Sequence, residues 1–108
     1  MSLEFISDFV EVDGIRLYGY LSELENAVIA FFWTGENPYL GSVSVSLPNR
    51  ASSQLLGNRD EFLGKMIGER FASKCMKLVM VSLYLPIGLD ANKAVFELVE
   101  KLAGGKRD

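Results

Sequence analysis

Cys75 is the single cysteine of the chain, and no histidine stands anywhere in it. Histidine is the usual general base near neutral pH and the usual partner of a Ser or Cys nucleophile, so its absence removes most hydrolytic triads. One thiol and scattered carboxylates lack the clustered spacing of a zinc site, so no metal is expected. Glu23 and Glu25 fall in a polar turn and Asp60 and Glu61 at a helix start, where solvated charge accounts for them better than an acid/base pair. Cys75 falls between a helix end and a strand, where a buried, inert thiol is the expectation. Gly35-Glu36-Asn37-Pro38-Tyr39-Leu40-Gly41 has two glycines but no Lys-Ser/Thr, and a strand follows it, so it is not a phosphate cradle. No catalytic residue and no cofactor are expected.

Aromatic side chains carry more information than the titratable ones. Tyr18, Tyr20, Phe31, Phe32, Trp33 and Tyr39 lie on neighbouring strands and one turn, and aromatics dominate the energetics of protein interfaces. Core packing accounts for Phe31. The candidate partner surface is Tyr18, Tyr20, Phe32, Trp33 and Tyr39.

Apolar periodicity gives the elements that position these residues. Residues 3–12 predict a strand that stops at Asp13-Gly14, the dipeptide best suited to a two-residue hairpin turn. The return strand, 15–21, puts Ile15, Leu17, Gly19 and Leu21 on one face and Arg16, Tyr18 and Tyr20 on the other. Residues 27–33 are apolar throughout, as in a strand covered on both faces. Residues 41–47 alternate Ser with Val or Leu, as in one covered on a single face. An antiparallel meander of these four strands is expected, with a short fifth strand at Gln54-Leu55-Leu56.

A helix capped by Asn58 is expected to run to about Lys74, burying Phe62, Leu63, Met66, Ile67 and Phe71. Gly64, Gly68 and Ala72 beside that stripe would let it lie close to a sheet. Residues 76–85 predict a second strongly apolar strand, with Leu78, Met80 and Tyr84 opposite Val79, Val81, Leu83 and Leu85. Asp90 is expected to cap a last helix that buries Ala94, Val95, Leu98, Val99 and Leu102, and Gly104-Gly105 to begin a frayed tail.

The 108 residues suit a single domain over 1–108 with one core. A net charge of -3 with no basic cluster argues against nucleic acid as a partner. No apolar run is long enough to span a membrane and no signal-peptide pattern opens the chain. A lone cysteine fits a reducing compartment, so a cytoplasmic location is expected, extending to the nucleus in a eukaryote.

The fold class that follows is α+β: a mostly antiparallel sheet of five to six strands with two helices on one face. Two amphipathic helices cover one face only, yet the strands at 27–33 and 76–85 are apolar on both. Another subunit is the simplest cover for the second face, which predicts a homo- or heterodimer of stacked sheets.

One family shares this order of features. Trp33-Thr34-Gly35 ends an apolar strand, Pro38-Tyr39-Leu40 opens a Ser/Val strand, and Ser52-Ser53-Gln54-Leu55-Leu56-Gly57 follows. Leu63-Gly64-Lys65-Met66-Ile67-Gly68-Glu69-Arg70 then lies on a helix before the strand Lys77 to Leu85. In these segments the chain resembles the proteasome assembly chaperone 4 family, the partner of chaperone 3. The resemblance implies a non-enzymatic chaperone that pairs with a related chaperone subunit through stacked sheets. It also implies transient binding of an alpha-type proteasome subunit during ring assembly. The alternatives are a dimeric scaffold of another complex and a small ligand-binding domain near Trp33 and Tyr39.

Overall fold

The computed structural model of the chain describes residues 4–49, 51–56, 61–86, 89 and 92–106. Two strands, β1 (Glu4–Val12) and β2 (Ile15–Glu23), form the expected hairpin around Asp13-Gly14. Both turn residues have positive φ, 52° and 78°, as a type I′ turn demands and as the Asp-Gly pair permits. β3 (Ala27–Thr34) returns antiparallel to β2, and the Leu24 N–H donates to the Ala27 carbonyl at 2.7 Å to close their turn.

The meander ends there. β6 (Leu78–Tyr84) pairs parallel to β3 and separates it from β4 (Ser42–Ser46), giving the order β1-β2-β3-β6-β4-β5. The expected β3–β4 pairing is therefore corrected. The reason is burial: the two most apolar strands take the centre of the sheet, and the serine-rich pair goes to the edge. β5 (Ser52–Leu56) is a full edge strand, longer than the short segment expected.

Helix α1 (Glu61–Cys75) packs on β4, β5 and β6, while α2 (Asn92–Lys106) packs on β1 and β2. Both lie on the same side of the sheet, over Leu17, Leu21, Ala30, Phe32, Val79 and Val81. α2 contributes Val95, Leu98, Val99 and Leu102, all fully buried, and Gly19 on β2 leaves room for Leu98 and Leu102. Its backbone stays helical through Gly104, Gly105 and Lys106, and the rest of the expected frayed tail, Arg107-Asp108, lies outside the described residues. The expected caps Asn58 and Asp90 lie outside the described residues.

α1 buries Leu63, Ile67, Phe71 and Ala72, but Met66 is 39% exposed and leaves the expected stripe. The stripe is narrower because the glycines themselves touch the sheet. A Cβ on Gly64 would sit 2.9 Å from Ser44 Oγ, and one on Gly68 would sit 2.3 Å from Ser46 Oγ. Small residues thus face small residues. This reverses the natural reading of β4: its serine side is the one under the helix, with Ser44 and Ser46 buried, and Val45 points to the other face. Gly68→Ala should cost up to about 2 kcal/mol in urea unfolding, the overpacking of about 1–3 kcal/mol being offset by a helix-propensity gain of about 1 kcal/mol. A stabilised variant would contradict the close helix–sheet contact.

Arg70 on α1 reaches Glu100 on α2, its Nε donating to Glu100 Oε2 at 2.7 Å, with Lys74 Nζ 3.8 Å from the other carboxylate oxygen. The Arg70 guanidinium chiefly, and then Lys74, hold the Glu100 carboxyl below its usual range. A carboxyl depressed in the folded state adds stability above its unfolded pKa and loses it as pH falls through the folded one. Both side chains are about half exposed, so the contribution is under about 1 kcal/mol. Glu100→Gln should therefore destabilise slightly at pH 7 and match the parent near pH 3, as read by thermal unfolding at the two pH values.

Candidate functional site

Strand alternation places a second set of side chains on the face away from the helices. Register aligns them in rows. Phe9, Tyr18, Trp33 and Tyr84 stand side by side on β1, β2, β3 and β6, and Tyr39 from the β3–β4 connection stacks on Tyr84 with ring centroids 4.8 Å apart. Along the row the Phe9–Tyr18 centroids are 6.0 Å apart and Tyr18 and Trp33 stack at 5.7 Å. Ser7, Tyr20, Phe31, Ser82 and Val43 form the next row, and Ser22, Ile29, Met80 and Val45 the one after.

Among the described strand residues, the charged side chains of this face, Glu11 and Arg16, stand at one corner. Arg16 Nε lies 3.5 Å from Glu11 Oε2, and the guanidinium sits 4.5 Å above the Phe9 ring, a cation–π geometry. Tyr18, and to a smaller degree Glu11, push the arginine pKa further above its already high value, so the group stays cationic.

The β3–β4 connection stands over the row's end. Gly35 has φ 99°, a glycine conformation that turns the chain out of β3. Gly41 then brings the chain against β6: its N–H donates to Ser82 Oγ at 2.9 Å, and a Cβ there would lie 1.9 Å from the Leu83 carbonyl oxygen. Between this corner and the sheet opens an apolar cavity of about 570 Å³ lined by Tyr20, Phe31, Trp33, Pro38, Tyr39 and Leu40. Tyr39 and Leu40 are more than half exposed. The Trp33 indole nitrogen is occluded among these groups without a hydrogen-bond partner.

Four of the five residues expected at a partner surface lie together on this face: Tyr18, Tyr20, Trp33 and Tyr39. Phe32 does not. It is 0% exposed, opposite Gly19 and under the helices, and Phe31 takes its place beside Tyr20. Strand parity explains both exchanges, because residues 31 and 33 share a face and residue 32 cannot. Phe9, Phe31, Met80 and Tyr84 were missed; the Asp-Gly turn, which pairs Phe9 with Tyr18, held the signal for the first.

Glu23 and Lys77 have structural work. Glu23 ends β2 and accepts from Lys77 Nζ at 2.6 Å, while the same ammonium donates to the Leu24 carbonyl, tying the start of β6 to the β2–β3 turn. Cys75 is half-buried against the core, less enclosed than expected. Among the described residues no group of three Cys, Asp or Glu side chains could hold a metal ion. No described helix is long and apolar enough to cross a membrane.

No family model matches the chain, and no curated protein does. Its fold is similar to that of a chain in the crystal structure of a chaperone complex for yeast 20S proteasome assembly. The TM-score is 0.70 at 13% identity, covering 98% of this chain and 97% of that one. The protein has the α+β fold of that chaperone, a six-stranded mixed sheet carrying two helices on one face.

Proposed function

We propose that the chain is a non-enzymatic chaperone of 20S proteasome assembly, of the chaperone 4 kind. It pairs with a related subunit through its open sheet face and transiently holds an alpha-type subunit during ring formation. The observation that carries this reading is the uncovered aromatic face, in a fold shared with a chaperone of that assembly. A sheet face rich in half-exposed aromatic and aliphatic side chains costs solubility unless something covers it. Stacking a second sheet at about 10 Å covers it with interdigitated side chains.

Co-expression with a chaperone 3-like subunit and the alpha-type subunits of the same organism is the test. The tagged chain is expected to retain an alpha subunit and to be missing from mature 20S particles. Failure to retain any alpha subunit, alone or with the related partner, sinks the proposal.

The cavity at the Trp33–Tyr39 corner supports a second reading, a small-ligand site, since its volume and apolar lining suit such an occupant. A thermal-shift screen separates the two, because a ligand specific for the folded state raises the melting temperature by mass action.

A further inference from the structure

We propose that the cavity at the Trp33–Tyr39 corner binds a small, neutral, ring-bearing molecule through an oxygen acceptor that takes the Trp33 indole N–H. This rests on the small-ligand reading of that cavity and names the ligand class. It does not depend on what covers the rest of the face, because every lining group belongs to the one chain.

Shape sets the first requirement. Four aromatic rings and the Pro38 ring line the cavity beside Leu40, and flat faces gain most contact from another flat ring, offset or edge-on. Its volume of about 570 Å³ compares with the roughly 150 Å³ that suffices for one benzene, so there is room for more than one ring.

Charge sets the second. No Asp, Glu, Lys or Arg is among the lining residues, so an ion would give up its hydration without a counter-charge. Aromatic faces alone would still attract a soft cation such as a quaternary ammonium. The indole N–H argues against one, since its proton is the positive end of a bond dipole at the same site. A neutral ligand is what remains.

The third requirement comes from the orphaned donor. Among the described residues two buried side-chain polar atoms are without a hydrogen-bond partner, Trp33 Nε1 and Ser44 Oγ, and Ser44 lies under α1 on the other side of the sheet. An indole N–H can only donate. Shut off from water and unpaired, it costs the folded chain stability that an acceptor restores. Tyr18 stacks on the indole at 5.7 Å and Tyr20 tilts against it at 6.4 Å, while Tyr39 and Leu40 on the corner are 55% and 62% exposed. An entering ring reaches the nitrogen by turning such side chains, with the strands left in place.

Trp33 is the single tryptophan of the chain, so its indole proton gives one nuclear magnetic resonance signal that reports the contact directly. Acetophenone and ethylbenzene, alike in shape but for the carbonyl oxygen, are titrated to about 1 mM against the isotope-labelled chain, with tetramethylammonium as the cationic control. Acetophenone is expected to move the indole proton downfield and to bind about 5-fold tighter than ethylbenzene, the gain of one hydrogen bond. Trp33→Phe keeps a ring and removes the donor, and should reduce that preference to under about 2-fold. Far-UV circular dichroism checks that the variant folds, and the parent's indole signal is a readout that needs no variant. Equal binding of the two compounds with the indole proton unmoved overturns the inference and leaves the small-ligand reading standing. A preference that survives Trp33→Phe, or tighter binding of tetramethylammonium, does the same. Binding of none of the three overturns both, and the chaperone reading is untouched by either result.

Discussion

Gly41→Ala should lower the melting temperature by roughly 10–20 °C, the largest effect expected of adding one methyl group to this protein. The added Cβ would fall 1.9 Å from the Leu83 carbonyl oxygen and 2.8 Å from the Tyr84 Cα. Both are backbone atoms of the central strand β6, so no side-chain rotation relieves the clash. Either β4 withdraws from β6 or the corner lifts and loses the hydrogen bond from the Gly41 N–H to Ser82 Oγ. A cost of about 3 kcal/mol or more follows, out of a total of about 5–15 kcal/mol for a domain of this kind. The same methyl at Gly14 or Gly35 meets nothing within 4 Å, and its penalty there comes only from positive φ. A Gly41→Ala melting temperature within a few degrees of the parent would show that the corner is not held against β6.

Phe32→Ala and Phe31→Ala should part company completely, although the residues are neighbours. Phe32 is fully enclosed beneath the helices, so its truncation removes transfer energy and leaves a cavity, costing about 3–5 kcal/mol. Phe31 lines the open cavity beside Tyr20 and Trp33, and its truncation in the monomer should cost under about 1.5 kcal/mol. Under the proposed pairing through the open face the ranking reverses, since Phe31 would then be buried by the partner. Urea unfolding at low concentration reads the first effect and sedimentation the second. Equal stability losses for the two variants would mean that the two faces of β3 are not distinguished as described.

Several parts of this were legible from residue order. Asp13-Gly14 dictates a two-residue turn and with it the pairing of Phe9 with Tyr18, before anything is known of the rest of the sheet. The expected faces of β2 and β6 match those in the structure, because strict alternation over seven or more residues leaves one solution. Gly64 and Gly68 on α1 signalled a close approach to the sheet, and the sheet answers with Ser44 and Ser46. The error at Phe32 came from treating a run of three aromatics as one surface, against the parity of the strand itself.

Other parts were not legible, for physical reasons. Insertion of β6 between β3 and β4 is a long-range pairing decided by which strands bury most apolar surface, a comparison between segments about fifty residues apart. The orientation of β4 depends on what lies over it. A Ser/Val alternation describes two faces without saying that helix glycines will select the smaller one.

By itself, then, the sequence determined that this chain has no histidine, that its two helices cover one face of a sheet and that its central strands carry large apolar side chains on both. These are properties of composition and local periodicity, in which each residue type and its spacing act alone. Only the tertiary structure decided which aromatics meet on the open face. Tyr84 and Tyr39 join Trp33 through a parallel strand pairing and a chain reversal at Gly41, and neither is encoded within any one segment. The surface exists because burial competes among all strands at once, and the face the helices cannot reach is what remains.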